Sequence, residues 1–128
     1  MLFYIGILVR DLKKKQFHGL VGNLKKFDCK IEQAEKNLII LSNEEIDIIN
    51  CLFKLKETYN EIRFGLSQYV GIAKGLSRIA QVGELLIAAD LEPAVIENFE
   101  ITSLGMLTIE GMKSEMLVFR VDNPKGKA

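Results

Sequence analysis

A chain of 128 residues is one domain's worth of sequence. With 48 % hydrophobic and 27 % charged residues it has the composition of an ordinary globular protein with one buried core. Lysine plus arginine and aspartate plus glutamate both total 17, so the net charge is zero; no basic excess points to nucleic acid or an anionic membrane, and little charge opposes self-association.

Leu2 to Val9 is a near-continuous apolar run, as in a strand covered on both faces. It is too short to span a bilayer and has neither a basic region before it nor a cleavage site after it, so no signal peptide is expected. The strand opens at the start Met, and the domain is expected to stand alone in the cytoplasm. Between Asp11 and Phe27 the apolar residues Phe17, Leu20, Val21, Leu24 and Phe27 fall at helical spacing, with lysines on the wet side. Asp28–Ala34 and Asn37–Leu41 read as a hairpin turning at Glu35-Lys36. Ser42 and Glu45 have capping-box spacing for a second helix, whose stripe is Ile48, Leu52, Leu55 and Tyr59, widened by Ile49 and Phe53.

Ile62–Leu66 reads as a strand and Gly71–Ala80 as a third helix, with Ile72, Ala73, Leu76, Ile79 and Ala80 inward and Gly83 ending it. Glu84–Ala88 is a further strand. Asp90 is placed to cap a short helix over Leu91–Glu97. Ile101–Ile109 and Glu115–Val121 close the chain as strands around a turn at Gly111. Residues 122–128, with turn formers and no apolar anchor, are expected to be a frayed tail to a single domain over 1–121. The order is βαββαβ followed by αβαββ, a ferredoxin-like core with an extension. It predicts an α+β fold with helices on one face of a mostly antiparallel sheet.

The segment Tyr69-Val-Gly-Ile-Ala-Lys-Gly-Leu-Ser-Arg-Ile-Ala-Gln-Val-Gly-Glu-Leu-Leu-Ile-Ala88 resembles class III adenylate and guanylate cyclases. There a V-N-x-A-x-R-L helix runs into a P-G-E-I-x-V-S strand. Val70, Ala73 and Leu76 keep the apolar frame, and Gly83-Glu84-Leu85-Leu86-Ile87 keeps the strand entry. Ile62-Arg63-Phe64-Gly65 is similar to the family's L-R-V-G strand and Val9-Arg10-Asp11-Leu12 to its F-x-D-I. Leu104-Gly105, Glu110-Gly111 and Val118-Phe119-Arg120-Val121 are similar to its closing motifs.

The resemblance implies a two-metal mechanism in which two aspartates hold the ions, an Asn orients the ribose and an Arg stabilises the transferring phosphorus. The first aspartate position is Asp11. The second falls at the Glu35-Lys36 turn, where a lysine would repel a metal. The Asn position is Gly71 and the Arg position is Gly75, and neither has a side chain. Arg78 lies nearly a turn beyond Gly75, as a substitute or as a solvated residue paired with Glu84. The family's Gly-rich dimerisation hairpin is missing, since only Leu66–Val70 links strand to helix.

The simpler readings stand beside these. Asp11 also fits a helix N-cap, His18 a half-exposed helix residue, and Lys13-Lys14-Lys15 a solvated helix start. Cys29 and Cys51 read as small buried residues in a reducing compartment. Gly71 and Gly75 suit close packing or a partner contact, as do Gly19 and Gly22. The expectation is a non-enzymatic, cofactor-free, cyclase-like signalling module that self-associates as a homodimer or binds another protein, with Glu35, Lys36, Lys74 and Arg78 as candidate contacts. The alternatives are a sensor that binds nucleotide weakly without turnover and a divergent active cyclase.

Overall fold

A computed structural model describes residues 1–10, 12–35, 37–59 and 61–126. Seven strands form one sheet in the order β2-β3-β1-β4-β5-β7-β6. The strands are β1 (Phe3–Val9), β2 (Lys30–Glu35), β3 (Leu38–Asn43), β4 (Ile62–Ser67), β5 (Leu85–Ala88), β6 (Phe99–Thr108) and β7 (Glu115–Pro124). The helices are α1 (Lys14–Leu24), α2 (Ile48–Thr58), α3 (Val70–Ile79) and the single turn α4 (Glu92–Val95). β4 and β5 pair in parallel and every other neighbouring pair is antiparallel. The expected α+β order therefore holds throughout, and β2-β3-β1-β4 is the ferredoxin-like core.

Side chains alternate across a strand, and β1 divides the molecule accordingly. Phe3, Ile5, Ile7 and Val9 are buried in the main core with Leu20 and Leu24 of α1, Ile48, Ile49, Leu52 and Leu55 of α2, and Val95 of α4. Gly6 faces the other way, toward α3. The helices are therefore not confined to one face, because α3 packs on the opposite side. Its residue Leu76 and the following Ala80 form a second core with Leu86, Ala88, Ile109 and Val118.

Two glycines seat α3. A Cβ on Gly6 would come within 2.7 Å of the Ala73 carbonyl oxygen, and one on Gly65 would collide with that same oxygen and with the Ser77 amide nitrogen. Backbone meets backbone here, which only glycine permits.

Two local expectations change. Ser42 does not cap α2: β3 runs on to Asn43, paired with Phe3 and Tyr4 of β1, and the buried Ser42 hydroxyl donates to Glu32 at 2.8 Å. The turn into α2 is closed instead by Asn43 Oδ1, which accepts from the Glu45 amide at 2.7 Å. Cross-strand pairing thus overrides a local capping signal. The tail also begins later than residue 122. β7 continues through Pro124, pairs with Phe99, and is followed by a Lys125 N–H bonded to Asn98 O at 2.8 Å. Among the described residues no helix is long and apolar enough to cross a membrane.

Candidate functional site

The site is best built from α3, which carries both glycines of the resemblance. Its N-terminal approach is fixed by Asp90. One Asp90 carboxylate oxygen accepts from the Ser67 hydroxyl at 3.0 Å and from the Gln68 amide at 2.7 Å. The Ser67 hydroxyl oxygen in turn accepts from the Tyr69 amide at 3.1 Å. Asp90 thus secures the entry to α3, whereas the sequence pattern placed it as a cap on the helix that follows it. The other oxygen of Asp90 is buried without a hydrogen-bond partner. At the far end, Arg63 donates to the Ala80 carbonyl at 3.2 Å and so ties the helix end to β4.

Between these ends the two glycines have different surroundings. Gly71 is exposed, and a side chain there would meet open space. Gly75 is buried, and a Cβ there would overlap the Ile109 side chain well inside van der Waals contact. Ile109 is fully buried. It follows β6, so the end of the β6–β7 hairpin folds across α3 and fills the space that a side chain at 75 would need. Gly111, at φ +86°, turns the chain there. Sequence reasoning saw the glycine but not the isoleucine, which lies 34 positions away and carries no motif of its own.

The remaining candidates are spread out. Lys74 is half-buried and Arg78 is exposed on α3. The expected pairing of Arg78 with Glu84 is replaced. Glu84 accepts from the Gln81 amide at 2.7 Å and lies 4.0 Å from Arg120, which is itself bound to Asp122 at 2.7 Å. Burial works against ionisation of Asp122, yet the hydrogen bonds from Thr102 and Arg120, with the nearby charges of Arg120 and Lys56, hold its carboxyl below the usual range. The Arg120 side of this pair is correspondingly raised, first by its hydrogen bond to Asp122. His18 and Lys13 to Lys15 are exposed, with α1 starting behind Lys13.

The end of β1 meets the β2–β3 turn, where the Val9 amide donates to Asn37 O at 2.8 Å. Glu35 is exposed at that turn. Asp11 and Lys36, the other candidates of that region, lie outside the described residues. Among the described residues no three His, Cys, Asp or Glu side chains gather as metal ligands.

The register separates this end from the start of α3. Val9 pairs with Ile62, whereas α3 begins after Ser67, at the other end of β4. Five residues of strand intervene, about 16 Å. Gly71 and the end of β1 therefore lie at opposite ends of the sheet, and one copy of the chain does not bring them together.

A groove of about 490 Å³ runs beside the end of α3, lined by Ile79, Leu86, Leu104 and Leu107 with Glu84 and Arg120 at its polar side. The two charged residues face each other, so the groove presents no unbalanced cation to a phosphate.

By sequence, neither family models nor curated proteins give a match. By structure the likeness is extensive. The adenylyl cyclase CyaB of P. aeruginosa superposes with a TM-score of 0.81 at 10 % identity, over 99 % of this chain and 96 % of that one. The GTP-bound guanylate cyclase domain of RhGC from Catenaria anguillulae gives 0.77 at 11 % identity, over 97 % of each chain. A dimeric guanylyl cyclase domain from the RhoGC fusion protein of Blastocladiella emersonii gives 0.68 at 11 % identity, again over 97 % of each. These superpositions over nearly the whole of each chain show that the chain has the fold of a class III nucleotide cyclase domain.

Proposed function

We propose that this domain is a catalytically inactive, cyclase-like regulatory module that works by association, with a second copy or with another protein. The observation that carries the reading is Gly75 beneath Ile109. Phosphoryl transfer is accelerated chiefly by groups fixed around the developing charge. The resemblance puts the charge-stabilising Arg at position 75, where a buried glycine has no side chain and its space is filled. It puts the ribose-orienting Asn at Gly71, which also has none. Losing one such group typically costs about 3–4 kcal/mol of transition-state stabilisation, and here two are replaced.

Association is the natural remaining role for such a frame. The chain has zero net charge, and the Blastocladiella domain of the same fold is dimeric. The test has two arms. The purified chain is assayed for cyclic nucleotide formation from ATP and GTP with Mn²⁺, and its mass is read by light scattering with and without nucleotide. No product, with a dimer indifferent to nucleotide, supports the reading. Turnover that disappears in Asp11→Ala overturns it. A monomer that changes size only with nucleotide would replace it with a nucleotide sensor.

A further inference from the structure

We propose that Cys29 and Cys51 form a reversible intramolecular disulfide that ties the start of β2 to α2. In the sequence the spacing of the two matches no redox motif. The fold brings Cys51 to the groove that Asp28, the residue before Cys29, also lines.

Cys29 lies in the bend that immediately precedes β2. Ile31 packs against the main core, on the face covered by α2. Cys51 lies on α2 one turn after Ile48, on the stripe that also carries Leu52 and Leu55. Both cysteines are packed against this same core cluster. Cys51 lines a surface groove of about 270 Å³ together with Asp28, the residue before Cys29, and Asn43. The Asn43 side chain donates to the Asp28 carbonyl at 2.8 Å and holds that wall in place. Burial pushes the Cys29 thiol up, and the next influence on it is Cys51, ahead of the adjacent Asp28 carboxylate. Neither thiol is in a disulfide and both are only partly buried, so a small oxidant can reach them; Cys29 gives up a weak S–H bond to the Leu24 carbonyl, at 3.7 Å, when it reacts.

The chemistry needs an acceptor for two electrons, and a low-molecular-weight disulfide supplies it. One cysteine thiolate attacks the small disulfide and releases one small thiol. The second cysteine then attacks the mixed disulfide and releases the other. One Cys–Cys bond forms, one small disulfide is reduced to two thiols, and the exchange reverses with excess thiol. The bond would close the segment containing β2, β3 and the start of α2, which restricts the unfolded chain. It would also fix α2 against the sheet edge. The proposal is independent of what the domain binds.

The test uses the full chain with glutathione disulfide, followed by maleimide labelling, intact mass and peptide mapping. The expected product has lost two hydrogens, takes no maleimide and migrates as a monomer. A cross-linked peptide joins Cys29 to Cys51, and dithiothreitol reverses the change. The melting temperature rises by about 5–15 °C on oxidation. Cys29→Ser and Cys51→Ser each abolish the cross-linked peptide and leave a single site for a glutathione adduct. Two maleimide-reactive thiols after oxidation, glutathione adducts on both cysteines, or a bond found only between chains would each overturn the proposal. The mapping is done on the parent chain, so the result stands even where a serine variant folds poorly.

Discussion

The contact between Gly75 and Ile109 makes a prediction whose sign depends on context. In a helix interior, Gly→Ala ordinarily stabilises by about 1 kcal/mol through backbone entropy. At position 75 the new methyl would overlap the fully buried Ile109 side chain, which must move. Overpacking of this kind costs about 1–3 kcal/mol. Gly75→Ala is therefore expected to destabilise the parent chain by about 1 kcal/mol net. Ile109→Ala removes the obstacle and by itself costs about 2–4 kcal/mol as a buried large-to-small change. In that background Gly75→Ala should become stabilising by up to about 1 kcal/mol, a coupling of about 2 kcal/mol between the two positions. The chain has no tryptophan, so urea unfolding followed by far-ultraviolet circular dichroism is the suitable assay. A Gly75→Ala effect of the same sign and size in both backgrounds would refute the claim that Ile109 occupies the position.

The other expectations rest on separate contacts. Gly71→Asn enters open space and should change stability by no more than about 0.5 kcal/mol, whereas Gly75→Arg should cost several times as much; equal effects in urea unfolding would contradict the difference between the two sites. Asp90→Ala leaves the Ser67 hydroxyl and the Gln68 amide without their acceptor and should cost about 1–3 kcal/mol, with faster amide exchange at the start of α3; unchanged exchange there would show that Asp90 does not hold that turn. The Asp122 carboxyl is held below its usual range, so its stabilising contribution is present at neutral pH and fades as pH falls below about 4. The melting-temperature difference between the parent and Asp122→Asn should then be larger at pH 7 than at pH 3, and a constant difference would count against the pairing with Arg120 and Thr102.

The site was legible only where its residues are close in sequence. Gly71 and Gly75 stand out because they share one helix with an apolar frame, and the missing side chains are visible directly in the residues. Asp90 was noticed, but its partners were misassigned: a carboxylate after a strand favours the next helix locally, whereas the parallel pairing of β4 with β5 brings it to the turn after Ser67. Cys29 and Cys51 have no redox spacing in the sequence, and the groove that Cys51 shares with Asp28 depends on where α2 crosses the sheet.

Period and punctuation in the sequence determined the order of strands and helices and most of the buried stripe on each. The buried residues of β1, β3, β4 and α2 follow from runs that change between strand and helix period. Periodicity says which side of an element avoids water, but not which layer it meets. That α3 lies on the opposite face from α1 and α2 was decided by Gly6 and Gly65, whose missing Cβ atoms permit backbone contact there. That Ser42 ends in a strand was decided by pairing with β1, worth more than a local cap. That position 75 is closed was decided by Ile109 arriving from a distant hairpin. Each of these is a contact between residues far apart in the chain, and no local pattern specifies such a contact before the layers are assembled.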